Sequence, residues 1–155
     1  MSASADSSAT PSGDGGGLVQ YVVLRRDLID SWPLGSVVTQ GCHAAVAAIW
    51  SNKDDRETVE YCGPENIDSM HKLPLKCSHY LVLKVLSSDL LWVWQVTLEV
   101  KGETQILNLS EKLTASGIAH KLWIEQPENI PTCLATKPYK KSAVSTFFRK
   151  LKLCK

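Results

Sequence analysis

The chain has 155 residues, with 17 Lys and Arg against 16 Asp and Glu, and 44% of it is hydrophobic. That length builds one domain with a substantial core and is short for two, and a net charge of +1 gives no global signal for nucleic acid. No charge-free apolar run approaches a membrane span, and the start lacks the charged-then-apolar layout of a signal peptide, so a soluble, cytoplasmic protein is expected.

Residues 1–17 are mostly Ser, Ala, Gly and Asp with no Arg, which predicts a disordered leader and argues against a transit peptide. Residues 18–26 form the first folded element. Their run Val19-Gln20-Tyr21-Val22-Val23-Leu24 suits a central strand covered on both faces. Arg25, Arg26 and Asp27 then stand at its C-terminal end, the edge of an open α/β sheet where ligands usually bind.

Pro33 and Gly35-Ser36 mark a turn into a helix that runs to Trp50, with Ser36 as its expected cap. At about 100° per residue, Val38, Gly41, Ala45, Ala48 and Ile49 share one face, while Ser36, Gln40 and His43 stack on the other. No charge occurs from Val37 to Trp50, so the helix is expected to be enclosed, with a narrow polar stripe facing a cleft. Read without further context, His43 is equally a core histidine bonded to Gln40.

Residues 54–61 are weakly helical and end at Gly63-Pro64. Residues 96–100 alternate as a half-buried strand does, and 103–116 form an amphipathic helix through Ile106, Leu109 and Leu113, closed by Gly117. Strands follow at 120–125 and 132–136, close enough to pair antiparallel, with the loop Gln126-Pro127-Glu128-Asn129 between them. A last helix over 140–152 buries Val144, Phe147, Phe148 and Leu151. The expected fold is a single α/β domain over residues 18–155, with a four-stranded mixed sheet and helices on both faces.

The five cysteines form no C-x-x-C pair, and the four histidines are scattered, so neither a disulfide framework nor a metal site is expected. Cys42 and His43 are adjacent on a helix and point about 100° apart, which does not make a catalytic dyad.

Five blocks stand out along the chain: Tyr21-x-x-Leu24-Arg25-x-Asp27-Leu28, Ser31-Trp32-Pro33-x-Gly35, Gln40-x-Cys42-His43-Ala44-Ala45, Leu122-Trp123-x-Glu125-Gln126-Pro127-Glu128-Asn129-Ile130 and Pro138-Tyr139. Together they resemble the class II peptidyl-tRNA hydrolases of archaea and eukaryotes, and within them a divergent peptidyl-tRNA hydrolase domain-containing branch. The resemblance implies a domain that is often dimeric. It also implies cofactor-free hydrolysis of the ester between a peptide and the terminal ribose of tRNA, a task of translation quality control. Gln40 and His43 carry over directly. The main family's Lys near the start of the first helix meets Leu34-Gly35-Ser36 here, and its acidic Asp-x-Gly-x-Thr-Gln loop meets Glu125-Gln126-Pro127-Glu128-Asn129.

Ester hydrolysis needs a base for water and donors for the developing oxyanion. The expected base is His43, oriented by Glu125, with Gln40 as a donor and Ser36, Asn129 and Thr132 supporting the oxyanion or substrate. Residues 137–155 hold seven Lys and Arg and no acid, so Arg25, Arg26, Lys137, Lys140 and Lys141 are the expected tRNA contacts. A non-catalytic module that binds tRNA or a protein through the same fold is the alternative. Residues 73–95 do not fit the family pattern. They read as an insertion with a hairpin turn at Ser87-Ser88-Asp89, either dispensable or a flap that forms a dimer contact.

Overall fold

The computed structural model describes residues 17–68, 70–72 and 93–155. The described chain runs β1 (Leu18–Arg25), α1 (Arg26–Ile29), α2 (Leu34–Ser51), α3 (Arg56–Tyr61), α4 (Pro64–Ile67), β2 (His71–Lys72), β3 (Val93–Val100), α5 (Glu103–Ala115), β4 (His120–Glu125), β5 (Ile130–Thr136), β6 (Tyr139–Lys140), α6 (Lys141–Phe148) and β7 (Lys152–Leu153).

The sheet is mixed, as expected, but larger than four strands. Five strands lie in the order β2-β3-β1-β5-β4, while β6 pairs with β1 and β7 with β3, giving seven strands among the described residues. The three additional strands are two-residue pairings at the margins of β1 and β3, too short to carry an alternation pattern. Pairing is parallel between β1 and β3 and antiparallel for β1 with β5 and β5 with β4. As a result β1, β3 and β4 all end at one edge of the sheet, which carries Arg25, Val100 and Glu125.

All eight residues of β1 are buried, because the strand is covered on both faces. Val19, Tyr21 and Val23 join Ile106, Leu109 and Leu113 of α5 and Val144 and Phe148 of α6 in one core layer. Val22 and Leu24 meet Ala44, Ala45 and Ala48 of α2 in the other. The buried amide of Gln20 has every strong partner it needs. Its Nε2 donates to the carbonyls of Ala45 and Thr136 at 3.2 and 3.1 Å, and its Oε1 accepts from Gln95 Nε2 at 2.9 Å.

Several boundaries differ from those read in the sequence. Gly17 is buried and its carbonyl accepts from Lys141 N, so the fold begins one residue inside the expected leader; the other leader residues lie outside the described set. Val93, Trp94 and Gln95 pair with Leu18, Val19 and Gln20, so the last three residues of the expected insertion belong to the sheet. The rest of that segment, with its expected hairpin turn, lies outside the described residues. The last helix stops at Phe148 because Lys152 and Leu153 peel off to pair with Glu99 and Leu98. Gly63-Pro64 follows the end of α3, as expected, and also starts α4, with proline at its first turn. No helix among the described residues is long and apolar enough to cross a membrane.

Candidate active site

The start of α2 differs from the expected capping. Pro33 is the N-cap, and no side chain caps the helix. The first intrahelical bond runs from Val37 N to the Pro33 carbonyl at 3.2 Å, so the backbone N–H groups of Leu34, Gly35 and Ser36 have no helical acceptor. Ser36 is exposed in this first turn, two residues inside the helix, and does not cap it.

The polar stripe of α2 divides. Gln40 faces inward and is only 4% exposed, while Ser36 and His43 face outward; Val38, expected on the core face, is 54% exposed. Gln40 can be buried because Thr132 Oγ1, itself buried in β5, donates to its Oε1 at 2.7 Å. That bond orients the amide and leaves Nε2 as its available donor. Nor is α2 enclosed among the described residues: Leu34, Val38, Val46 and Trp50 form an exposed apolar surface.

A cleft of about 560 Å³ opens where the start of α2 meets the β4–β5 loop. Trp32, Pro33, Gly35, Ser36, Thr39 and Gln40 form one wall, and Glu125, Gln126 and Glu128 the other. No Lys or Arg among the described residues lines it. Thr39 Oγ1 donates to the Gly35 carbonyl at 2.9 Å, tightening the first turn of α2.

Three of the expected site residues therefore meet in the cleft: Ser36, Gln40 and Glu125. Thr132 lies behind Gln40 and acts through it. His43 is not part of the lining. Its ring packs against Trp123 with centroids 4.8 Å apart, and the Trp123 indole Nε1 donates to Glu125 Oε2 at 2.8 Å. Trp123 thus stands between His43 and Glu125 and takes the contact expected of the histidine. Asn129 is exposed outside the cleft, in the left-handed region at φ 57°, and its Oδ1 accepts a long 3.5 Å bond from Gln126. Among the functional groups, Trp123 and Glu128 carry no expected role from the sequence; the Trp-x-Glu spacing along β4, which puts both side chains on one face, is the signal that would have found Trp123.

The expected cationic contacts also divide. Arg25 is buried and bonded to Asp27 at 2.7 Å, to Glu103 at 2.9 Å and to the Pro131 carbonyl at 2.8 Å. The hydrogen bond from Arg25 holds the Asp27 carboxyl below its ordinary range, against the effect of burial. Lys137 is buried as well. Its Nζ donates to Asp55 at 2.9 Å, to Glu57 at 2.6 Å and to the Pro138 carbonyl at 3.1 Å, and sits 3.8 Å from the centre of the Tyr139 ring. Burial would lower the Lys137 pKa, but the Glu57 and Asp55 bonds raise it overall. With three acceptors for three hydrogens, Lys137 has nothing left for a phosphate. Both residues are buried and ion-paired, where the expected phosphate contact needs an exposed cation.

Lys140 and Lys141 are exposed, but Lys140 pairs with Leu18 at the start of β1. They stand at the opposite edge of the sheet from Glu125, roughly 20 Å away along the strand direction. Arg26, paired with Glu99 and Asp30, follows Arg25 at the same end of the sheet but does not line the cleft. Among the described residues, no group of three or more His, Cys, Asp and Glu could hold a metal ion.

Residues 18–154 match the family described as "Peptidyl-tRNA hydrolase PTH2". Two curated relatives, both named "Putative peptidyl-tRNA hydrolase PTRHD1", come from Homo sapiens and Mus musculus. They are 38% and 39% identical to this chain over 141 residues, covering 89% of it and 83% of each relative. With residues 18–154 matched by that family's model, this chain belongs to the peptidyl-tRNA hydrolase PTH2 family.

Proposed function

We propose that the protein hydrolyses the ester joining a peptide to the terminal ribose of tRNA, with the reaction in the cleft between α2 and the β4–β5 loop. The observation that carries this reading is the placement of Glu125 across from Gln40 and the free amides of α2, in a chain of this family. A carboxylate opposite a set of fixed donors supplies both halves of ester hydrolysis, a proton acceptor and an oxyanion site.

In this mechanism Glu125 replaces His43 as the base. Trp123 holds Oε2, leaving Oε1 to take a proton from water. The hydroxide adds to the ester carbonyl, and the oxyanion accepts hydrogen bonds from Gln40 Nε2 and the amides of Gly35 and Ser36. Collapse breaks the carbon–oxygen bond to the ribose, and the proton held by Glu125 passes to the leaving hydroxyl. The products are a peptide acid and tRNA with its ribose hydroxyl free. His43 acts as a positioning residue, supporting the Trp123 ring that aligns Glu125. Thr132 positions Gln40 in the same way, and Asn129 shapes the loop.

The exposed apolar face of α2 is the surface a second copy would cover, and it supports the homodimer that the family resemblance implies. One observation favours the alternative of a non-catalytic binding module: among the described residues the cleft has two carboxylates and no cation. Incubating the protein with N-acetyl-aminoacyl-tRNA and following release of tRNA decides between the two. Release above the buffer rate supports the hydrolase, and tRNA binding without release supports the module.

A further inference from the structure

The acceptor end of tRNA is a polyanion, yet among the described residues the proposed cleft carries Glu125 and Glu128 and no cation. Its phosphates must be held elsewhere. A groove of about 630 Å³ lies on the opposite face of the sheet, between α5 and the segment joining α6 to β7. Lys101, Lys112, Lys150 and Lys152 line it together with Arg26. All four lysines are exposed, and none takes part in an ion pair among the described residues. Among the described residues Glu99 is the single carboxylate in the lining, and it is bonded to Arg26. Phe147 is half-buried in the same wall, an aromatic surface among cations of the kind that bases stack on.

The groove reaches the same sheet edge as the cleft. Glu99, Val100 and Lys101 lie at the end of β3, beside the end of β1, and Arg26 opens the short helix that leads to Trp32 in the cleft wall. We propose that this groove binds the RNA backbone, gripping phosphates near the acceptor end while the terminal ribose turns across the sheet edge into the cleft. The choice of tRNA as the RNA rests on the hydrolase reading; the choice of a phosphate backbone rests on the groove's own charge. Lys140 and Lys141, at the far edge, are left outside this path.

The test compares a Lys101→Ala/Lys150→Ala/Lys152→Ala variant with Lys140→Ala/Lys141→Ala, both exposed substitutions whose folding is checked by thermal melting. Binding of fluorescent deacylated tRNA is followed by anisotropy across a salt series. The groove variant should bind about tenfold more weakly at low salt, with the log–log salt slope reduced by roughly two to three. The far-edge variant should lose less than about twofold. An unchanged slope in the groove variant, a larger loss in the far-edge variant, or no tRNA binding by the wild type each overturns the proposal. A single Lys112→Glu substitution provides the same comparison if the triple variant melts early.

Hydrolysis of N-acetyl-aminoacyl-adenosine, which has no phosphates, separates this proposal from the hydrolase reading. It should proceed equally in wild type and groove variant. Absence of any hydrolysis by the wild type would defeat the hydrolase reading while leaving the salt slopes to judge the groove.

Discussion

Trp123 donates its indole N–H to Glu125 at 2.8 Å while its ring packs against His43. This places the histidine behind an aromatic ring and the carboxylate at the cleft. Trp123→Phe keeps a ring for His43 but removes the hydrogen bond. Its kcat should fall roughly ten- to hundredfold with little change in KM, since it misaligns the base without touching substrate. An unaltered kcat would show that Glu125 needs no such support.

The same arrangement ranks two substitutions. Glu125→Gln should reduce kcat/KM by about a hundred- to ten-thousandfold. His43→Ala should cost clearly less, with hydrolysis partly preserved by His43→Phe, which retains the ring packing. If His43→Phe is as inactive as Glu125→Gln, the histidine is itself the proton acceptor.

Thr132→Val leaves Gln40 Oε1 without its buried donor. Stranding a buried acceptor costs about 1–3 kcal/mol, which lowers the melting temperature by roughly 3–10 °C in a chain of this size. Activity should fall with it, because the Gln40 amide becomes free to flip. Calorimetry and the hydrolysis assay on the same preparation check both.

Lys137 ties α3 to the turn before β6, and its loss has a pH signature. The Lys137 hydrogen bond holds the Asp55 pKa below its ordinary value, opposed by burial. A depressed carboxylate contributes stability above its unfolded pKa of about 3.9, and that stability is lost as pH falls through the folded value. Lys137→Met should therefore cost about 1–3 kcal/mol near neutrality, moderated by the partly exposed acids, and the gap to wild type should narrow below about pH 4. Urea denaturation at several pH values measures this. A gap independent of pH would assign the loss to packing alone.

Elements with long, regular patterns were readable from the sequence. The buried run of β1, the Ile106-Leu109-Leu113 face of α5 and the span of β4 all follow from periodicity, and family motifs located the region of the cleft. Side-chain direction on α2 was not readable. An uncharged helix permits several orientations, and the Thr132 bond that satisfies the buried Gln40 comes from a residue 92 positions away. The basic C-terminal segment was misleading for a similar reason. Charge density along the chain does not reveal that Lys137 is surrounded by Asp55 and Glu57, or that Lys140 and Lys152 stand at opposite edges of the sheet.

Single-turnover hydrolysis of N-acetyl-aminoacyl-tRNA by wild type and by Glu125→Gln, with tRNA binding measured in parallel, tests the role of Glu125. Release by the wild type, near-complete loss in the variant and equal tRNA affinity for both are expected. Equal release rates in the two proteins, or binding without any release by the wild type, would contradict that role.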